Sequence, residues 1–229
     1  MKKNIAMRVA AFLFILTMIS TCAFATTFAK YTTSDSATDT ARVAKWGVNV
    51  EAAGPNLFVK EYDGSVSSSD TWDLVAPGTA VTNAFKVTIT GTPEVDVEIK
   101  YEATVSLTGW EAGTFKDGET TKNTYCPLVI TVNGTQYKID TTNTDATKLA
   151  AAIEKAIEDL SVANIDANTN LAATAALTHD LNISWSWAYE VAGTDAEKAA
   201  ANDNDTALGN LTTAPQISIS VTCTVTQND

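Results

Sequence analysis

The sequence of 229 residues contains one histidine, His179, and three cysteines. A single histidine cannot supply an HExxH helix or a zinc site that needs two or more imidazole ligands. The chain also has no G-x-G-x-x-G or P-loop segment, the glycine-rich patterns that bind nucleotide phosphates. We therefore predict no catalytic residue, no metal site and no cofactor.

Basic residues are few and unevenly placed. The chain has 15 lysines and arginines against 27 acidic residues, for a net charge of −12. Three of the basic residues, Lys2, Lys3 and Arg8, lie in the first 29 positions, which contain no acid. Without those positions the count is 12 basic and 27 acidic residues, or −15. Such a surface repels phosphate backbones and anionic membranes, so nucleic acid is excluded as a partner.

The first 29 residues have the pattern of an export signal. Lys2 and Lys3 form a positive start, and an apolar stretch follows from Val9 to Ile19. Small residues fit signal cleavage at two places, after Ala25 and after Ala29. The alternative is an uncleaved anchor, since Val9–Ala29 is a run of 21 uncharged residues, about enough to span ~30 Å of bilayer. The five serines and threonines within this run favour cleavage.

Cysteine use agrees with export. Cys22 leaves with the leader, so the mature chain keeps an even pair, Cys126 and Cys223. An even pair outside the cell is compatible with a disulfide and equally with two buried free thiols. A disulfide requires that the strands carrying the two residues adjoin.

The mature chain has the composition and periodicity of an all-β protein. Threonine occupies 32 of its 200 positions, and valine and isoleucine are frequent. In Glu94–Leu107, seven apolar residues alternate with seven polar ones, which predicts a strand with one buried and one solvated face. Glu98 and Glu102 share the solvated face about 13 Å apart, too far for a catalytic carboxylate pair.

The same alternation recurs in Leu181–Val191 and Ile217–Val225. Asn133-Gly134 predicts a type I′ hairpin turn between two further strands. Weaker strands are predicted at Val43–Val50, Leu57–Tyr62 and Val81–Ile89. About eight strands separated by turn-rich loops predict an antiparallel β-sandwich with jelly-roll-like connections.

One amphipathic helix is predicted within this pattern, at Asp145–Leu160. Its apolar residues recur at spacings of three and four, so it is expected to cover a sheet end or edge as an insertion. A second helical turn is expected at Leu171–Leu177. The domains are then residues 1–29 as signal peptide, 30–41 as an N-terminal segment and 42–229 as the sandwich.

Two other groups of residues are candidates for binding. One group consists of acidic residues around an alanine run: Asp195, Glu197, Asp203 and Asp205. They lack the ligand spacing of a calcium-binding EF-hand loop. Capping of a short segment, Thr206–Leu208, or exposure to solvent explains them better. Trp185, Trp187 and Tyr189 would form a carbohydrate-stacking platform if exposed. Their parity with Ile183 and Val191 predicts burial instead.

Four segments carry a resemblance to a known family. They are TTFAKYTTSDSATDTARVAKWGV at the start, LNISWSWAYE with NDNDTALGN further on, and the ending ISISVTCTVTQND. Together, and in this order, they resemble the TasA/camelysin family of Gram-positive bacteria, whose members carry a SipW-type signal peptide. The resemblance covers both ends of the mature chain, and the middle is similar only in general plan.

The resemblance implies a jelly-roll subunit that is secreted through a SipW-like signal peptidase and builds biofilm-matrix fibres as a homopolymer. It implies cleavage between Ala29 and Lys30 and a location in the extracellular matrix or at the cell surface. It leaves open whether accessory matrix proteins take part. In the family, the N-terminal segment of one subunit completes the sheet of the next, so Lys30 to about Ala41 would be the donor strand, beginning with Lys30, Tyr31, Thr32, Thr33, Ser34, Asp35, Ser36 and Ala37.

Three functions remain open at the level of the sequence. The first is this polymerising subunit, and the second is a monomeric surface or spore-coat protein. The third is a camelysin-like metallopeptidase, because some members of the family have been described as peptidases. The alternative for residues 30–41 is a disordered stub left after signal cleavage.

Overall fold

The computed structural model describes residues 42–228 except 55–56, 63–65, 68–72, 111–114, 118–119, 123–124, 141 and 173–178. In this part the chain forms twelve strands. Their bounds are β1 Val48–Ala53, β2 Glu61–Tyr62, β3 Val66–Ser67, β4 Ala80–Gly91, β5 Val97–Thr108, β6 Phe115–Asp117, β7 Thr120–Lys122, β8 Leu128–Val132, β9 Thr135–Tyr137, β10 Val162–Ile165, β11 Leu181–Trp187 and β12 Gln216–Gln227.

The strand with the clearest alternation, β5, lies at the centre of a three-stranded antiparallel sheet in the order β10-β5-β12. Val97, Ile99 and Tyr101 on its inner face are almost completely buried, whereas Lys100 and Glu102 are exposed. The period-two prediction for this segment is confirmed. β12 pairs with β5 along its whole length, from Gln216 opposite Thr108 to Gln227 opposite Val97.

A five-stranded antiparallel sheet has the order β1-β4-β11-β8-β9. The predicted hairpin joins β8 to β9, and Asn133 and Gly134 both have positive φ, at 46° and 85°. That backbone is the one a type I′ turn requires. Two of the weaker predictions are only partly right: β1 begins at Val48, and β2 covers only the end of Leu57–Tyr62.

Two short ribbons, β2-β3 and β6-β7, complete the strands. The inner faces of both large sheets contribute to one hydrophobic core, which also takes in residues of a helix; its fully buried members include Ile89, Ile99, Leu128, Ile130, Leu149, Ile153, Leu181 and Ile183. The chain is therefore mostly β, with two antiparallel sheets, as the alternation predicts. All described strands lie in one unit, Trp46–Asp229, and Arg42–Lys45 at the end of the preceding unit forms neither helix nor strand.

The predicted helix is present as α1, Ala146–Glu158. Asp145 caps it by accepting a hydrogen bond from the backbone N–H of Lys148 at 2.9 Å. The apolar stripe is buried at Leu149, Ile153 and Ile157. β10 pairs with β5 only at Val97 and Ile99, and the helix covers the edge of β5 beyond that point, in agreement with the predicted covering of a sheet edge. There the carboxylate of Glu154 accepts a hydrogen bond from the backbone N–H of Val105 at 2.7 Å. Residues 173–177 of the expected turn at Leu171–Leu177 lie outside the described residues.

A second helix corrects the prediction of a single one. The alanine-rich acidic segment forms α2, Asp195–Gly209, rather than a loop with a short capped segment. Thr194 and Glu197 form a reciprocal capping box, with the side chain of each accepting from the backbone N–H of the other. This cap and the high helix propensity of alanine explain the helix without a strong apolar stripe. Neither described helix is long and apolar enough to cross a membrane.

Candidate functional site

The predicted cleavage pair, Ala29 and Lys30, and the predicted donor strand from Lys30 to Ala41 lie outside the described residues. Their predicted roles stay predictions. The structure describes the surface that such a strand would need, namely the edges of the two sheets.

The outer edge of β12 is the longest sheet edge that no other described strand pairs with. β12 is twelve residues long, contains no charged residue and no proline, and pairs on one side only among the described strands. Its inward-facing residues are only half-buried, in contrast to those of β5; they are Ile217, Ile219, Val221, Cys223 and Val225. The edge thus combines unpaired main-chain groups with an incompletely covered apolar face, the two features that attract an additional strand.

β1 forms an outer edge of the five-stranded sheet. Val50 is 42% exposed although its pairing partner across the ladder, Ile89, is completely buried. β1 is half as long as β12, at six residues, and carries a charge at Glu51. A short strand with a charge is a poorer template for pairing than a long uncharged one.

The structure does not join the two cysteines of the mature chain, and both are free. Cys223 is on β12, whereas Cys126 precedes β8 in the other sheet, so the adjoining strands that a disulfide needs are not present. Cys126 is buried, as predicted, and burial raises the pKa of its thiol to about 12. Cys223 is half-buried, and burial raises the pKa of its thiol while a hydrogen bond with Tyr101 opposes the shift.

The aromatic residues of the predicted strand Leu181–Val191 lie in two different environments. Trp185 and Trp187 are buried, and the indole N–H of Trp185 donates to the carbonyl oxygen of Leu57 at 2.7 Å. Phe58 packs against Trp185 with ring centroids 5.5 Å apart. The predicted burial of Tyr189 is wrong, since it is 78% exposed. β11 ends at Trp187, so the alternation does not extend to Tyr189, which lies beside Gly78.

The acidic candidates lie at separate places along α2. Glu197 belongs to the capping box, and hydrogen bonds from the backbone N–H and hydroxyl of Thr194 lower the pKa of its carboxyl group. Asp205 accepts a hydrogen bond from the hydroxyl of Tyr125 at 2.8 Å, which fastens α2 to the segment before β8. No group of three or more potential metal ligands occurs among the residues that the structure describes.

Because Asp205 is partly buried, its contact with Tyr125 can be tested by changing the pH. Burial raises the pKa of its carboxyl group above the usual value, although the hydrogen bond from Tyr125 acts in the opposite direction. The folded state therefore binds the proton more tightly than the unfolded state, and this contribution to stability is lost as pH rises through the folded-state pKa. We expect Asp205→Asn to be at least as stable as the wild type at pH 7 and to gain relative to it between pH 4 and pH 7.

Urea unfolding of both proteins at the two pH values measures this difference. Asp203→Asn, an exposed position on the same helix, is the matched control for loss of one charge. If Asp205→Asn instead loses stability relative to the wild type between pH 4 and pH 7, the raised pKa of Asp205 is contradicted.

Glu98 and Glu102 are on the solvated face of β5, as predicted. Glu102 forms an exposed ion pair with Lys100 at 2.6 Å, and Glu98 accepts a hydrogen bond from the hydroxyl of Thr226 in β12 at 2.8 Å. Both carboxylates therefore have surface partners on the three-stranded sheet, and the two do not contact each other.

An open cavity of about 590 Å³ is lined by the start of β8 and the residues before it, the residues after β9, the segment after β11 and Ala201 of α2. Its lining is largely aliphatic and aromatic, with one charge of each sign, from Lys138 and Glu190. Its lining includes neither the acidic residues nor the aromatic residues that the sequence suggests for binding, although it includes Cys126.

The edge of β12 is the feature that sequence reasoning does not identify. The alternation of Ile217–Val225 predicts the same burial as that of β5, because periodicity reports which residues share a face and not which strand is outermost. The lack of charge along Gln216–Gln227 is the signal that could have indicated it.

No family model, no curated protein and no solved structure matches this chain.

Proposed function

We propose that the chain is a secreted structural subunit of extracellular biofilm-matrix fibres and that it assembles by donor-strand complementation. In this proposal a SipW-like signal peptidase cleaves between Ala29 and Lys30. The segment Lys30–Ala41 of one mature subunit then adds a strand to a sheet of the next. The sandwich is assigned jelly-roll connections, as the resemblance to the TasA/camelysin family implies.

The observation that carries the proposal is the unprotected sheet edge. Proteins that remain monomeric usually protect long edge strands with charges, prolines, bulges or covering loops. β12 has twelve residues without a charge or a proline. A subunit that polymerises through strand addition needs such an edge, whereas in a monomeric surface protein the same edge promotes aggregation.

The segment assigned as donor has a suitable composition. It lacks proline, so each of its residues can donate a main-chain hydrogen bond, and it is rich in serine and threonine. Its apolar residues are too few to form a core of its own. The main-chain N–H and C=O groups of such a segment form hydrogen bonds when the segment joins a sheet.

Electron microscopy of purified mature protein that begins at Lys30 tests the proposal. Ordered filaments are expected. Folded monomers under all conditions would contradict it and would favour the surface or spore-coat protein. Chelator-sensitive cleavage of peptides by the monomer would favour the peptidase.

Salt is expected to assist assembly. Association brings together subunits of about −15 charge each, by the count of 12 basic and 27 acidic residues after position 29. Raising the ionic strength from about 0.01 M to about 0.15 M shortens the Debye length from ~30 Å to ~8 Å and so weakens this repulsion. Sedimentation should show a lower critical concentration for filaments at the higher salt. A critical concentration that rises instead would mean that attraction between charges drives assembly.

A further inference from the structure

The edge of β12 differs from the other outer edges of the two sheets in the described chain. β9 has three residues and β10 has four, and the side chain of Asn228 donates to the carbonyl oxygen of Ala163 in β10. β1 has six residues and the charge of Glu51. Only β12, with twelve uncharged residues, is both long and without these protective features among the edges that the structure describes.

The hydrogen bonds of β5 show which main-chain groups of β12 point outward. The N–H groups of Tyr101 and Val105 donate to Ser161 and Glu154, on the side of β5 away from β12. In an antiparallel ladder, two directly opposed residues behave alike. When one points its N–H and C=O groups away from the other strand, the residue opposite does the same. By the register, these outward groups belong to the odd-numbered residues, Ile217, Ile219, Val221, Cys223 and Val225.

The same five residues have half-buried side chains on the inner face. They therefore offer about ten unpaired main-chain groups, one N–H and one C=O each, beside an apolar surface that an added strand would cover. Even-numbered residues, such as Ser220 and Thr222, direct their main chain to β5 and their side chains to solvent. A substitution can consequently affect one face without removing the pairing to β5.

We infer that this edge of β12 is the acceptor for residues Lys30–Ala41 of a second copy of the chain. The inference rests on the proposed function and assigns the partner surface of that function. Donor segment and edge are both twelve residues long, about 40 Å at ~3.3 Å per residue. Because β12 carries no charge, Asp35 and Asp39 of the donor meet no like charge on this strand in an otherwise acidic subunit.

A charge pointing inward from β12 should block the acceptor. Natural edge strands use inward-pointing charges to prevent pairing, and the long lysine stem lets the ammonium group reach water at a half-buried site. We expect Val221→Lys in the mature chain to remain folded and to raise the critical concentration for filaments at least tenfold. Thr222→Lys, on the solvated face opposite Glu102, is the matched control and should assemble like the wild type.

Val50→Lys tests the other open edge, β1, and should also assemble like the wild type. The inference is overturned if Val221→Lys polymerises as Thr222→Lys does, or if Val50→Lys alone blocks assembly. In both cases wild-type filaments would still support the proposed function. If the wild type forms no filaments, the proposed function fails, and the inference fails with it.

The thiol of Cys223 gives a second measurement that does not depend on a variant. It lies on the inner face of β12 and should react with iodoacetamide at least tenfold more slowly in filaments than in monomers. The buried thiol of Cys126 is the internal control and should react slowly in both states. Equal reactivity of Cys223 in monomers and filaments would place the acceptor elsewhere, even if Val221→Lys does not fold.

Discussion

Replacing Ile99 with aspartate is expected to abolish soluble folding. Ile99, the third residue of β5, is 1% exposed and belongs to the core that the two sheets share. The change removes a buried side chain, at ~2–5 kcal/mol, and places an unpaired carboxylate in the core, at several kcal/mol more. The sum is comparable with the total stability of a domain, ~5–15 kcal/mol. The soluble fraction after expression and the circular dichroism of any soluble protein measure the effect.

Glu102→Ala is the control for this substitution. Glu102 is on the opposite face of the same strand, where it forms an ion pair with the exposed Lys100. We expect this variant to remain soluble and to unfold at nearly the same urea concentration as the wild type. Equal tolerance of the two substitutions would mean that the assigned faces of β5 are wrong.

Replacing Thr33 with proline is expected to abolish filament formation without changing the stability of the subunit. In the proposed function, Thr33 is within the donor strand, and proline removes one donor from the ladder and disfavours the extended pairing around it. The described strands and helices all lie in the unit Trp46–Asp229, so the subunit keeps its own core. Electron microscopy measures assembly, and urea unfolding measures stability.

Thr33→Val is the matched control, since valine keeps the N–H group and has a comparable shape and high β propensity. It should assemble at least as well as the wild type. Filaments of Thr33→Pro with an unchanged critical concentration would show that this position does not pair. The donor register would then have to begin further along the chain.

Much of the fold follows from local patterns that the sequence displays. β5 is predictable because a period of two over fourteen residues allows only one buried face, and α1 because its apolar residues recur at helical spacing. The Asn133-Gly134 hairpin follows from the positive φ that these two residues tolerate. These elements depend on neighbours along the chain, and tertiary structure only completes them.

The other features are not reported by the alternation of apolar residues. Tyr189 continues the parity of β11, but it lies two residues beyond the point where the pairing ends, and parity does not indicate where a strand stops. The helix α2 is specified by a cap and alanine propensity, which the apolar periodicity does not report. β12 repeats the pattern of β5, and only the strand order distinguishes an edge from a centre. That β12 is an outer strand therefore becomes visible only with the sheet order, and the lack of charge along Gln216–Gln227 is the one local signal for it.

The most direct test of the central claim compares two chains, one beginning at Lys30 and one beginning at Arg42, by electron microscopy and sedimentation under the same conditions. Circular dichroism confirms that both are folded. The account predicts ordered filaments from the chain that begins at Lys30 and monomers from the chain that begins at Arg42, because only the first has a strand to donate. Equal polymerisation of both chains would contradict donor-strand assembly.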